Sequence, residues 1–116
     1  MPHRTGLSQP SLAGALDALW ARFLPDTEQR VSTLQAAAAA LQAGPLQPEQ
    51  QQEAHSAAHK LAGTLGTFGL ERGTELAREL EGMFSPDLAP DRTLAVGAQQ
   101  IAAELRAIVA SRKTSA

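Results

Sequence analysis

The chain has no cysteine, so neither a disulfide nor a thiolate-held metal can form, and the redox compartment is left open. Aromatic residues supply only 3 % of its 116 positions: Trp20, Phe23, Phe68 and Phe84. So thin a supply argues against a β-sandwich, whose strands draw on β-branched and aromatic side chains. No basic excess exists either. The formal net charge is -2, without the electrostatic footprint of a nucleic-acid binder. No apolar run approaches the roughly 18 residues needed to cross a bilayer. Residues 1–10 hold His3 and Arg4 but no apolar signal core. No internal repeat and no convincing strand can be found. The default expectation is a soluble cytoplasmic protein of one domain, large enough for a single core.

What is present is alanine and helical periodicity. Hydrophobic residues make up 43 % of the chain, and alanine accounts for much of that share. Ser11 can cap a first helix to about Leu24, with Leu12, Leu16, Leu19, Trp20 and Phe23 at helical spacing. Proline suits a helix's first turn, so Pro25-Asp26-Thr27-Glu28 reads as a restart, a continuous helix kinked at Pro25 being the alternative. The second helix then uses Val31, Leu34, Ala38 and Leu41 and ends at Gly44-Pro45. Its run Ala36 to Ala40 combines high helix propensity with a thin surface for tight packing.

A third helix is expected from Pro48-Glu49 to about Thr67 or Phe68, with Gly69 as its left-handed terminator. A fourth covers about Leu70 to Phe84 with Leu76, Leu80 and Met83 inward. A fifth runs from about Asp91 to Ser111 on the stripe Leu94, Ala98, Ile101, Leu105, Ile108. The fold class predicted is all-α: an antiparallel four-helix bundle over residues 11–111, with an additional N-terminal helix capping one end. Flexible tails are expected at 1–10 and 112–116.

The third helix carries the most informative stretch, Ala58-His59-Lys60-Leu61-Ala62-Gly63-Thr64-Leu65-Gly66. At about 3.6 residues per turn, Ala62, Gly63 and Gly66 fall on the same side as His59. Ala54, Ala58, Leu61, Leu65 and Phe68 fall on the other. The apolar set can be buried while the imidazole stands in water with no large side chain beside it. Glycine costs up to about 1 kcal/mol relative to alanine within a helix, so two of them here point to something that must approach the backbone. Imidazole is a nucleophile near neutral pH and can carry a group through a covalent intermediate. A phosphorylated ring must then meet a partner's pocket closely and in line, which small neighbours permit.

His59-x-Leu61-x-Gly63-Thr64, followed by Gly69, resembles the motif of the histidine phosphotransfer (HPt) domain family, as do the preceding Ala58 and the downstream Leu76 and Leu80-Glu81. The resemblance implies a phosphorelay intermediate of two-component signalling. His59 would accept a phosphoryl group from a receiver aspartate or a kinase and pass it to a receiver aspartate. Partners would be a response-regulator receiver domain and a histidine kinase or hybrid kinase, with no nucleic acid and no membrane. The receiver would supply magnesium and the acidic pocket. This chain would bind no cofactor and act as a carrier rather than an enzyme with its own turnover. Gly63 would let the receiver close over the imidazole, with Ala62 and Gly66 in the docking patch and His55 at its rim. The family's lysine three residues after the histidine is Ala62 here, and Lys60 is expected to supply the phosphate-supporting charge. Arg72 and Arg78 are the other candidates.

Three competing readings follow from the same residues. His55 and His59 lie four apart, as zinc ligands on a helix do, but Ser56, Ala57 and Ala58 lie between them and no general-base glutamate does, so no metal is expected. Glu71, Glu75, Glu79 and Glu81 read as a solvated helix surface rather than acid–base machinery. The main alternative is a phosphorylation-independent helical adaptor that docks a receiver or partner helix through the same face.

Overall fold

A computed structural model describes residues 11–114, with side chains from 12 to 112. The expected tail 1–10 and the last two residues lie outside it. Four α-helices follow one another: α1 (Ser11–Ala43), α2 (Pro48–Thr67), α3 (Glu71–Met83) and α4 (Ala95–Thr114). A single 3-10 turn, Arg92–Leu94, precedes α4. The architecture is an all-helical bundle, as the periodicity requires. Alpha-4 continues to Thr114, past the expected end at Ser111.

The separate N-terminal helix is replaced by a single helix of 33 residues that runs through Pro25. The physical reason lies in its buried stripe. Trp20, Leu24, Thr27, Val31, Leu34, Ala38 and Leu41 recur at alternating steps of four and three, and the stripe crosses Pro25 without losing register. Thr27 is the member that hides this continuity in the sequence. It is fully buried, and its hydroxyl donates to the Phe23 carbonyl at 2.8 Å, so the polar atom is satisfied inside the helix. Pro25 itself is exposed, as is Ala21 one turn earlier, so the carbonyl that loses its partner can be hydrated. Packing on the buried side outweighs the one missing bond.

The molecule measures 65 × 21 × 20 Å. Its long axis follows α1, against which α4 runs antiparallel. Near the start of α1, Asp17 accepts from Arg112 of α4 at 2.8 Å, and the Arg112 guanidinium lies 5.6 Å from the Trp20 ring centroid. Further along, Arg106 donates to Ser32 and Gln35, both at 2.8 Å. The alanine run behaves as its thinness requires: Ala37 and Ala38 are buried against neighbouring helices while Ala36 and Ala39 face water.

Helix α2 buries Ala54, Ala58, Leu61 and Leu65 against the core. Its end is set by Gly69, whose φ of 72° only glycine adopts without strain, and by Leu70 N–H donating to the Leu65 carbonyl at 2.9 Å. Phe68, at that end, meets Trp20 and Phe23 edge-on, with ring centroids 5.1 and 6.2 Å apart. Beside it, α3 buries Leu76, Ala77 and Leu80, and Phe84 closes the base. Gly73 allows the close crossing of α3 over α2, since a Cβ there would stand 2.9 Å from Leu65 Cδ1. The connection from α3 to α4 is tied back by Gln51, whose amide donates to the carbonyls of Ser85 and Leu88 at 2.7 and 3.1 Å. Asp91 accepts from the Thr93 backbone N–H at 2.9 Å and so caps the turn that leads into α4.

Candidate functional site

His59 stands near the middle of α2, one residue after the fully buried Ala58 and two before the fully buried Leu61. Its side chain is 71 % exposed. Since Leu61 and Leu65 anchor the helix on the opposite side, the imidazole's direction is fixed by the core and not by its own contacts. Lys60 and Gly63 are also exposed, as is Gly66. Nothing lies within 4 Å of where a Cβ on Gly63 would stand, and one on Gly66 would meet only Thr74 Oγ1 at 3.7 Å. Neither glycine is demanded by the packing of this chain.

Ala62 differs from expectation. It is only 6 % exposed, because α2 buries Ala57 and Ala62 along with its central stripe. The methyl group therefore belongs to the core margin and offers almost nothing to a docking partner. His55 is half-buried at 27 % exposure and sits beside the same carboxylate as His59. Thr67 donates to the Gly63 carbonyl at 3.0 Å.

The ring of His59 is held by a residue of α3. Its Nδ1 lies 2.9 Å from Glu81 Oε2, and the same oxygen is 3.9 Å from His55 Nε2. An ionised carboxylate only accepts, so Nδ1–H donates, and the lone pair of the neutral ring is then on Nε2, the atom turned away from α3. Glu81 is 27 % exposed and is thus no member of a solvated acidic surface. Glu71, Glu75 and Glu79 are exposed and fit that description. The signal for Glu81 was its place immediately after buried Leu80, on the flank of α3 that borders α2. Among the described residues no group of three is set to hold a metal ion.

On the other side of His59 an open groove of about 570 Å³ separates α2 from α1. Its walls are Phe23, Asp26 and Arg30 from α1, and His59, Lys60, Gly63, Thr64, Thr67 and Phe68 from α2 and its end. Arg30 had no place in the sequence-based site. Its position beside the buried Val31, on the edge of the stripe that meets α2, is what brings it there. Of the other cations, Arg72 is committed elsewhere: its Nε donates to Glu104 Oε2 of α4 at 2.9 Å, and Nη1 lies 3.5 Å from Glu75 Oε1. Hydrogen bonding and charge attraction to Glu104 raise the Arg72 pKa above its ordinary value. Arg78 is exposed and does not line the groove beside His59.

The chain has a nucleophile in water, a fixed tautomer, bare backbone one turn along, and cations beside the ring. Such a surface can take a small anionic group from a concave partner and hold it. Comparison with known sequences points the same way. A model of the Hpt domain family matches residues 18–111. Protein RcaC of Microchaete diplosiphon is 40 % identical over 74 residues, which cover 64 % of this chain and 11 % of that protein. The chain therefore spans a small part of the length of this curated relative. No solved structure matches it significantly.

Proposed function

We propose that this chain, a member of the Hpt domain family, is a phosphorelay intermediate of two-component signalling working with kinase and receiver partners, and that His59 is its phosphoacceptor. The observation that carries this reading is the pairing of an exposed imidazole, Nδ1 engaged by Glu81, with a glycine at position 63 that the fold itself does not need.

The chemistry follows from the ring's two nitrogens. Nε2 of neutral His59 attacks the phosphorus of a receiver's aspartyl phosphate. The Nε2–P bond forms, the P–O bond to the aspartate breaks, and the aspartate leaves as a carboxylate. The ring, still bearing the Nδ1 proton, becomes an imidazolium, and Glu81 faces the positive charge that has appeared. The reverse step to a second receiver uses the same state, because a protonated imidazole is the better leaving group. Transfer therefore needs no turnover on this chain and no cofactor of its own; the receiver brings the metal and the acidic pocket. Gly63 and Gly66 admit that pocket, His55 lies at the rim, and Lys60 offers charge to the phosphoryl oxygens. A phosphorelay role would place the site of action in the cytoplasm. No described helix is long and apolar enough to cross a membrane.

The test is phosphoryl transfer from a phosphorylated receiver, followed as an acid-labile, alkali-stable label. His59→Gln is expected to abolish the label while leaving helical content intact. A chain that binds the receiver yet takes no label would establish the helical adaptor in place of the carrier.

A further inference from the structure

We propose that Arg30, from α1, acts with Lys60 as the cationic seat for the phosphoryl group on His59, in place of the lysine that this chain lacks at Ala62. The inference rests on His59 being the phosphoacceptor and adds a positioning residue from a different helix.

Three observations carry it. The first is direction. Nδ1 of His59 is drawn toward α3 by Glu81, so Nε2 is turned from α3, and His59 forms part of the wall of the α1–α2 groove. A phosphoryl group on Nε2 therefore projects beside that groove. The second is placement. Arg30 and Lys60 line this groove and also the adjoining one of about 360 Å³, so the two cations form the ridge between them. The third is that neither cation is used by the fold. Arg30 is half-buried, yet among the described residues no carboxylate lies within ion-pair distance of it or of Lys60; Asp26 and Glu53, which border the grooves, are no closer. The other arginines that reach across the bundle, Arg72, Arg106 and Arg112, are each bound to a partner on another helix. Arg30 thus brings to the groove a guanidinium that no described residue engages, which leaves its planar donors available to an anion.

Phosphoramidate provides a test that needs no receiver. Nε2 of His59 attacks the phosphorus of phosphoramidate in its N-protonated form, so one P–N bond replaces another; ammonia leaves and then takes a proton from water, while the ring keeps its Nδ1 proton. Wild type, Arg30→Gln, Arg30→Lys, Lys60→Gln and the double glutamine variant would be labelled as full chains and followed by 31P NMR, with His59→Gln identifying the signal. Arg92→Gln removes the same formal charge at the far end of α1, where Arg92 lines a groove with Gln42.

Arg30→Gln is expected to slow labelling by about three- to tenfold, the scale of one charge-assisted contact at a solvated site. It should also move the 31P titration of the phosphoryl group upward by about half a pH unit, since a nearby cation favours the more charged form. Arg30→Lys should recover most of both effects, the double variant should exceed either single one, and Arg92→Gln should match wild type. Lys60 is exposed, so its variant reports on charge even if Arg30→Gln unfolds. Labelling and titration unchanged in a folded Arg30→Gln, or in Lys60→Gln where Arg30→Gln does not fold, with His59 still labelled, overturn the cationic seat alone. A wild-type chain that takes no label at His59 overturns the acceptor reading and the seat together.

Discussion

Glu81 reaches from α3 to hold the Nδ1 of His59 at 2.9 Å, across a separation of 22 residues in the chain. The contact converts a freely rotating surface ring into one with a defined tautomer and a defined exposed nitrogen. It also sets a counter-charge opposite the imidazolium that forms on phosphorylation. Glu81→Ala is therefore expected to slow phosphoryl transfer from a receiver by about tenfold, the value of one charged hydrogen bond. Receiver affinity should stay near wild type, and Glu81→Gln, which can still accept from Nδ1–H, should fall between the two. Equal transfer rates in wild type and Glu81→Ala would show the contact to be incidental.

Gly63 and Gly73 lie in adjoining helices and should respond to alanine in opposite ways. A Cβ at Gly63 meets nothing within 4 Å. Gly63→Ala should raise folding stability in urea by up to about 1 kcal/mol through helix propensity. Transfer from a receiver should nonetheless slow by about tenfold or more, because a small displacement of reacting atoms is costly. Labelling by phosphoramidate, which needs no close approach of a second protein, should be unchanged. A variant that is stabilised and transfers at the normal rate would remove the docking role from this glycine.

At Gly73 the new methyl would stand 2.9 Å from Leu65 Cδ1 and 3.4 Å from Ile108 Cγ2. Leu65 is fully buried, so shifting it would press on the surrounding core. Overpacking of this kind costs about 1–3 kcal/mol, against a propensity gain of up to about 1 kcal/mol. Gly73→Ala should thus lose about 1 kcal/mol in chemical denaturation, with His59 labelling preserved in the folded fraction. A gain in stability would mean that α3 can move away from α2 without penalty.

Acid should weaken the fold through two exposed carboxylates. Hydrogen bonds from the Thr93 side chain and backbone hold Asp91 below the usual carboxylate range, and the hydrogen bond from Arg72, with its charge, does the same for Glu104. A depressed folded pKa means stabilisation that is present above the ordinary carboxylate value and lost as pH falls through the lower folded one. The Asp91→Ala/Glu104→Gln chain should therefore melt below wild type at pH 7, with the gap closing progressively in acid. A gap that is the same at pH 7 and at pH 2 would place the effect outside these ionisations.

Much of this was present in the order of residues. The stripe Ala54, Ala58, Leu61, Leu65 specified which side of α2 is buried, and that alone turns His59 to solvent. Gly69 ended the helix where a left-handed residue was needed. Ala62 is buried although it is expected on the open face, because its angular position lies on the border between the two faces. A neighbouring helix, not the wheel, decides which side of that border is dry. The local rule for proline favours a boundary at Pro25 over a continuous helix, and Thr27 conceals the stripe that decides for continuity.

The sequence by itself determined the helices and the outward histidine, because both follow from periodicity over one or two turns of chain. Only the tertiary structure decided what meets that histidine. Glu81 comes from α3, Arg30 from α1, and Arg72 is taken out of contention by Glu104 on α4. Each of these is a matter of how one helix is rotated and set along another, and side-chain spacing within a single helix carries no record of that.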